Sequence, residues 1–246
     1  MRAIPGESAV TVLVVGASST AIEAIEAAGH TVRTGVPADL DAESGDGDPD
    51  PDFEAVVAIG ESALLAVARR RPSIPVLPVD VPIGPDGADR RAIGAALAGE
   101  APEHASPVLS VSVDGETIER AVMDVTLVTT EPARISEYAV HRTNGRVAAF
   151  RADGVVVATP AGSHGYAAAA GGPTFVPGTE AFSIVPIAPF HTQSSQWVVD
   201  TGPLSLSVLR DEGEVSLLVD DTDRGVVDPN QRVRLEVDDY VRTLRP

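Results

Sequence analysis

Residues 153–173 read DGVVVATPAGSHGYAAAAGGP: a β-branched run, then Pro160, Gly162, Ser163 and Gly165, then Tyr166 and four alanines ahead of Gly171, Gly172 and Pro173. Small residues let a ligand approach the backbone closely, and the amides at a helix start favour anions. Tyr166 offers an aromatic face to a base and a hydroxyl to a partner. The same letters also describe a tight strand-to-helix turn around a core tyrosine, so the pattern leaves two readings, a nucleotide loop and a structural turn. His164 adds a titratable ring that could donate to a phosphate, serve as a base or cap the helix. Asp220 and Asp221 are carboxylates that either meet magnesium or line a solvated turn.

Composition bounds the scaffold that must position these groups. With 246 residues, 43% of them hydrophobic, the chain can bury a sizeable core in one large or two modest domains. No apolar run reaches the roughly 20 residues of a membrane span, and the N-terminus lacks the basic and apolar blocks of a signal peptide, so a cytoplasmic protein is expected. Cysteine is absent, which excludes disulfides, thiolate catalysis and cysteine metal sites. Acidic residues number 36 against 18 basic ones, all of them arginine, so neither a P-loop lysine nor a Schiff-base lysine exists. A formal charge of -18 repels nucleic acid and anionic membranes, and neither is an expected partner. The acidic, lysine-free style is similar to that of extreme halophiles, in which salt screens self-repulsion.

Apolar periodicity divides the chain. Residues 9–15 read as a strand ending at Gly16, 19–28 as a helix stopped by Gly29, and 31–33 as a short strand. The acidic run 39–52 (DLDAESGDGDPDPD) reads as a solvated loop. Strand 55–59, helix 62–71, strand 74–79 and helix 89–98 come next, and this alternation predicts an α/β domain with a parallel, Rossmann-like sheet. From about residue 107 the period shortens. Strands are expected at 108–113, 117–129, 134–141, 146–150, 155–159, 181–186, 197–199, 204–209, 215–219 and 232–237. Turn signals at Asp114-Gly115 and Asn144-Gly145 make this second domain antiparallel. The expected domains are residues 1–104 and 105–246.

The pattern D-G-x-x-x-x-T-P-x-G-S-x-x-Y followed by A-G-G-P, at Asp153-Gly154, Thr159-Pro160, Gly162-Ser163, Tyr166 and 170–173, resembles the second signature of the NAD kinase family. Residues 184–189 (IVPIAP) resemble the segment next to it in that family. An α/β domain ahead of a β-sandwich-like one is also that family's architecture. The resemblance implies phosphoryl transfer from ATP or polyphosphate to the adenosine 2′-hydroxyl of NAD, giving NADP, with magnesium or another divalent cation. It implies that Tyr166 lies by the adenine, and that Asp153, Gly154, Ser163 and Asp124 belong to the NAD site; His164, standing where the family has a threonine, is a candidate for the same site. It also implies that a neighbouring subunit helps build the site, hence a homo-oligomer, a dimer or tetramer.

Departures from the pattern concentrate on the phosphate side. Where the family reads G-G-D-G, this chain reads Ile59-Gly60-Glu61-Ser62. Gly60 and Ser62 are the candidate phosphate-binding positions. Glu61 is the candidate catalytic carboxylate in place of the aspartate that activates the acceptor, or else a solvated first-turn helix residue. The family's Asn-Glu appears as Met123-Asp124, and Asp124 is either a ribose ligand or an edge-strand aspartate. Polar positions of the signature become Ala161, His164 and Ala169; Phe190 takes a histidine place beside His191; and Asp-Gly-Gln becomes Asp220-Asp221-Thr222. Gly45-Asp46-Gly47 matches the phosphate loop only by letters. Three functions fit: a divergent NAD kinase, a dinucleotide-binding sensor or partner subunit without turnover, and a kinase for a different hydroxyl.

Overall fold

The run AVVAI at Ala55–Ile59 has no polar alternation and is buried at all five positions, as a strand covered on both faces must be. The computed structural model describes residues 9–41, 53–83, 86–131, 134–190, 196–229 and 231–245. The chain divides into two compact units, Met1–Ser106 with Tyr240–Pro246, and Pro107–Asp239.

In the first unit, β1 (Thr11–Val15), α1 (Ser19–Ala27), β2 (Thr31–Gly35), β3 (Ala55–Ile59), α2 (Glu61–Ala68), β4 (Val76–Val79) and α3 (Arg90–Leu97) alternate. The strands are parallel, in the order β2-β1-β3-β4. Ser18 and Asp89 cap α1 and α3, accepting from the amides of Ala21 at 3.3 Å and Ala92 at 3.1 Å. Gly16 has φ 99°, and a Cβ there would sit 2.5 Å from the carbonyl oxygen of Ile59, so only glycine passes the end of β3 at that point. Strand order reverses between β1 and β3, and the loops leaving these two strands, at Gly16 and Gly60, flank the crevice in which such sheets take ligands.

The other strands are β5 (Glu103–Val113), β6 (Glu116–Ala121), β7 (Asp124–Thr129), β8 (Ser136–Arg142), β9 (Gly145–Ala152), β10 (Gly154–Ala158), β11 (Ala181–Ile187), β12 (Trp197–Asp200), β13 (Leu204–Arg210), β14 (Val215–Val219), β15 (Thr222–Val226) and β16 (Arg232–Leu244), with the short helix α4 (Tyr166–Ala169) after β10. The chain leaves the first unit within β5 and returns to it within β16, where Thr243 pairs in parallel with Val76 of β4. In the second unit one antiparallel sheet runs β12-β11-β10-β7-β14-β15. In the other, β16, β13, β8 and β9 are antiparallel neighbours. Leu127, Val155 and Phe182 from the first sheet and Tyr138, Leu206 and Leu235 from the second share one buried cluster. The α/β domain with a parallel sheet and the antiparallel β-sandwich are the architecture expected from the sequence.

Several elements differ in extent. Residues 117–129 form two strands rather than one, because the amides of Val122, Met123 and Asp124 turn to the carboxylate of Asp220. No apolar alternation announces β15, an exposed edge strand. The last strand continues beyond residue 237, through Asp238 and Asp239, to Leu244. A 3-10 turn at Pro37–Asp41 occupies the start of the expected acidic loop; residues 42–52, with Gly45-Asp46-Gly47, lie outside the described residues. Asp114 and Gly115 have φ 50° and 91°, the left-handed pair that a tight hairpin requires. Among the described residues no helix is long and apolar enough to cross a membrane.

Candidate functional site

All five residues of β10 are buried, which fixes the path of the chain as it leaves the strand. Ala158 lies opposite Asp124 of β7. Thr159, fully buried, then ties the chain to the start of β7: its amide donates to Met123 O at 2.8 Å and its hydroxyl to Val122 O at 2.7 Å. Gly162 packs so closely on this segment that a Cβ would lie 2.2 Å from Met123 O. The next residues form a 3-10 turn, Gly162–His164, and then α4. Ala167 is buried against Val156, Ala158 and Val185, and a Cβ on Gly172 would strike Val185 at 2.6 Å. The alanines and glycines therefore let a one-turn helix lie flat on the sheet. Tyr166 is left 44% exposed, so it is not core filling.

The remaining side chains of the loop divide into inward and outward. Ser163 is fully buried; its hydroxyl donates to Pro160 O at 2.8 Å and accepts from the Phe175 amide at 3.0 Å. It clamps the loop from inside. His164 places Nε2 3.2 Å from the Phe175 carbonyl oxygen, a contact that requires the proton on Nε2. Asp124 is half-buried, and its carboxylate accepts from the Thr126 hydroxyl at 3.3 Å. Met123, in the asparagine place, is 6% exposed. Asp220 joins this cluster from the β14–β15 turn, and its carboxylate accepts from the amides of residues 122–124.

Asp153 and Gly154 do not meet the loop. They sit at the opposite end of β10, and the six steps from Asp153 to Thr159 span roughly 20 Å at about 3.3 Å each. Gly154 is buried where a Cβ would come 2.5 Å from Leu127 O, so its smallness serves packing. The Asp153 backbone is held by Ile187, Thr129 and the Tyr138 hydroxyl, the last at 3.1 Å. Burial pushes the Tyr138 phenol above its usual range, and the ring is fully enclosed. The Asp153 carboxylate has no hydrogen-bond partner among the described residues and is half-exposed.

Gly60, Glu61 and Ser62 belong to the first unit. Gly60 has φ 84°, its amide donates to Val79 O at 2.8 Å, and a Cβ there would meet nothing within 4 Å among the described residues. Helix α2 begins at once with Glu61, which is exposed with Ser62 in the first turn, while Leu64, Leu65, Val67 and Ala68 are buried. Among the described residues no group of three or more His, Cys, Asp or Glu could hold a metal ion. His191 lies outside the described residues; Phe190 beside it is 57% exposed with the Arg151 guanidinium 5.4 Å from its ring centre.

The sequence singles out Thr159 and Asp220 without giving their structural part: Thr159 stands there as a letter of the quoted pattern, whereas its hydroxyl and amide tie the loop to β7, and Asp220 stands there as a magnesium or turn carboxylate, whereas it accepts from three backbone amides.

Residues 122–242 match the family model described as the ATP-NAD kinase C-terminal domain. The NAD kinase of Methanoculleus marisnigri is 32% identical over 207 residues, 80% of this chain and 76% of that protein. The NAD kinase of Methanosarcina mazei is 33% identical over 129 residues, 52% of this chain and 45% of that protein. The match thus spans less than half the length of the Methanosarcina relatives. The NAD kinase from Archaeoglobus fulgidus, solved in complex with ATP, superposes with a TM-score of 0.71 at 20% identity, covering 96% of this chain and 93% of that one. Yeast NADH kinase complexed with NADH gives 0.73 at 15% identity, covering 98% and 84%. At those identities the two structures establish the fold.

Proposed function

Because the chain belongs to the NAD kinase family, we propose that it transfers a phosphoryl group from ATP or polyphosphate to the adenosine 2′-hydroxyl of NAD, giving NADP. The observation that carries this reading is the signature loop, docked on Met123-Asp124 with the ring of Tyr166 at the surface rather than in the core. Tyr166 stacks on the adenine, and the Asp124 carboxylate accepts from ribose hydroxyls. Ser163, Gly162 and Gly154 act by shape, holding the loop and strand. His164, with Nε2 engaged as a donor, orders the loop rather than serving as base through that nitrogen.

Phosphoryl transfer is mostly positioning and charge neutralisation. The 2′-oxygen attacks the terminal phosphorus of the donor, its proton passes to Glu61, and the shortened donor leaves. Glu61 is the exposed carboxylate at the head of α2, unpartnered among the described residues. Gly60 and Ser62 offer the amides and hydroxyl for donor phosphates at a helix start. Magnesium or another divalent cation would come with those phosphates and ask for only one or two protein carboxylates. Such an ion supplies charge neutralisation when bound.

A homo-oligomer is part of the same reading. Asp153 lies roughly 20 Å along β10 from the loop of its own chain, so its carboxylate, unpartnered among the described residues, serves the site of a second copy. A second reading, dinucleotide binding without turnover, draws on α2 starting at Glu61, which leaves one glycine in the loop and a carboxylate one methylene longer than aspartate. The deciding experiment incubates the chain in high salt with magnesium, NAD and ATP or polyphosphate. NADP formed by the wild type and lowered about a hundredfold or more in Glu61→Ala supports the kinase. NAD bound but not converted supports the second reading, and neither binding nor turnover refutes both.

A further inference from the structure

Three successive amides of the second unit converge on one side chain. Asp220 accepts from Val122 N at 3.0 Å, Met123 N at 2.8 Å and Asp124 N at 3.1 Å, and its own amide donates to Asp124 O at 2.9 Å. Consecutive N–H groups of this kind make an anion-binding concavity. Here the anion is part of the chain, delivered by the two-residue turn between β14 and β15, where Asp220 takes the left-handed φ of 51°. The carbonyls of the same segment carry the signature loop, Val122 O accepting from the Thr159 hydroxyl and Met123 O from the Thr159 amide, with Gly162 in contact behind them. One carboxylate thus braces the peptides that hold both Asp124 and the loop leading to Tyr166.

We propose that Asp220 is a positioning residue for the dinucleotide site: it fills a three-amide nest at residues 122–124 and thereby fixes Asp124 and the register of the Thr159–Gly162 loop. The assignment rests on the dinucleotide reading of that loop. Charge matters here as well as shape, because hydrogen bonds to an ionised acceptor are about twice as strong as neutral ones. The strand ladders do not reach Val122 and Met123, since β6 has ended at Ala121 and the ladder of β7 begins at Asp124.

The test uses the full chain at constant salt, with two variants. Asp220→Ala empties the nest; Asp220→Asn keeps the shape and one acceptor oxygen but removes the charge. Amide hydrogen exchange at Met123, Asp124 and Thr159 is measured beside calorimetric NAD binding, with and without formate, a carboxylate small enough for the vacated nest. In Asp220→Ala the exchange rates and the NAD Kd both rise at least about tenfold, formate reverses both, and Asp220→Asn falls between. Formate leaves the wild type unchanged. Should Asp220→Ala fail to fold, Asp220→Asn carries both measurements with a rise of a few-fold or more.

Unchanged exchange at these amides overturns the proposal, as does faster exchange with an unchanged Kd, or a loss spread evenly over β8 and β9 that formate does not reverse. A wild type that binds no NAD refutes the dinucleotide reading instead. Exchange then decides alone: acceleration confined to residues 122–124 and 159 and reversed by formate supports the bracing role, and any other pattern overturns it.

Discussion

Replacing Gly162 by alanine tests the join between the signature loop and β7. The added methyl would lie 2.2 Å from Met123 O, 2.5 Å from its carbonyl carbon and 2.8 Å from its Cα, all backbone atoms that cannot swing aside. The loop must then retreat by about 1 Å, and overpacking of this kind costs typically 1–3 kcal/mol. Retreat also stretches the two Thr159 hydrogen bonds of 2.8 and 2.7 Å, each worth about 1 kcal/mol net. Together the loss is about 3–5 kcal/mol, a large part of the 5–15 kcal/mol typical of a domain. Thermal melting in high salt should fall by about 6–20 °C at about 2–4 °C per kcal/mol, with NAD affinity lost alongside. Gly94→Ala, within α3, is the control: among the described residues its methyl would meet Ala28 Cβ at 3.4 Å and nothing closer, so melting should hold or rise. A Gly162→Ala protein that melts with the wild type and binds NAD equally well would refute the close packing on which the site is built.

Two further outcomes are expected. Tyr166→Ala should raise the NAD Kd by about 5- to 100-fold, the usual worth of aromatic stacking on a base, while melting barely moves because the ring is 44% exposed; an unchanged Kd would show the ring touches no ligand. Asp153→Ala and Tyr166→Ala, each impaired alone, should recover about a quarter of wild-type NADP formation when their subunits are mixed, since half of randomly formed dimers are mixed and each then holds one intact site; mixed oligomers without recovered activity would show that Asp153 does not serve a neighbour.

The elements easiest to read in the sequence are those whose cause is local. AVVAI and VSLLV appear in the structure with the bounds their letters suggest, because continuous burial needs only a continuous apolar run. The loop at residues 159–173 was legible for the same reason, its small residues lying next to one another. What escaped was caused from a distance. Nothing within RAVMDVTL announces the break after Ala121; its cause is a carboxylate 97 residues beyond Met123. Nor do letters tell which hydroxyl turns inward: Ser163 sits in a binding pattern, yet its side chain is fully buried, while Tyr166, three positions on, stands in solvent. Strand β15 is polar and β16 runs through two aspartates, and both are held by pairing with neighbours that a single segment does not reveal.

The five residues of β10 leave no free face. Val155 and Val157 enter the interior of the sandwich, and Val156 and Ala158 carry α4 on the other side. Adding or deleting one residue would reverse both sets at once, since side chains alternate strictly along a strand. The four unspecified positions between Asp-Gly and Thr-Pro are therefore a measuring rod whose letters are loosely constrained and whose length is not. Exchanging valine for isoleucine along the rod overpacks a buried position at a cost of about 1–3 kcal/mol, whereas a single codon inserted into it would part the two ends.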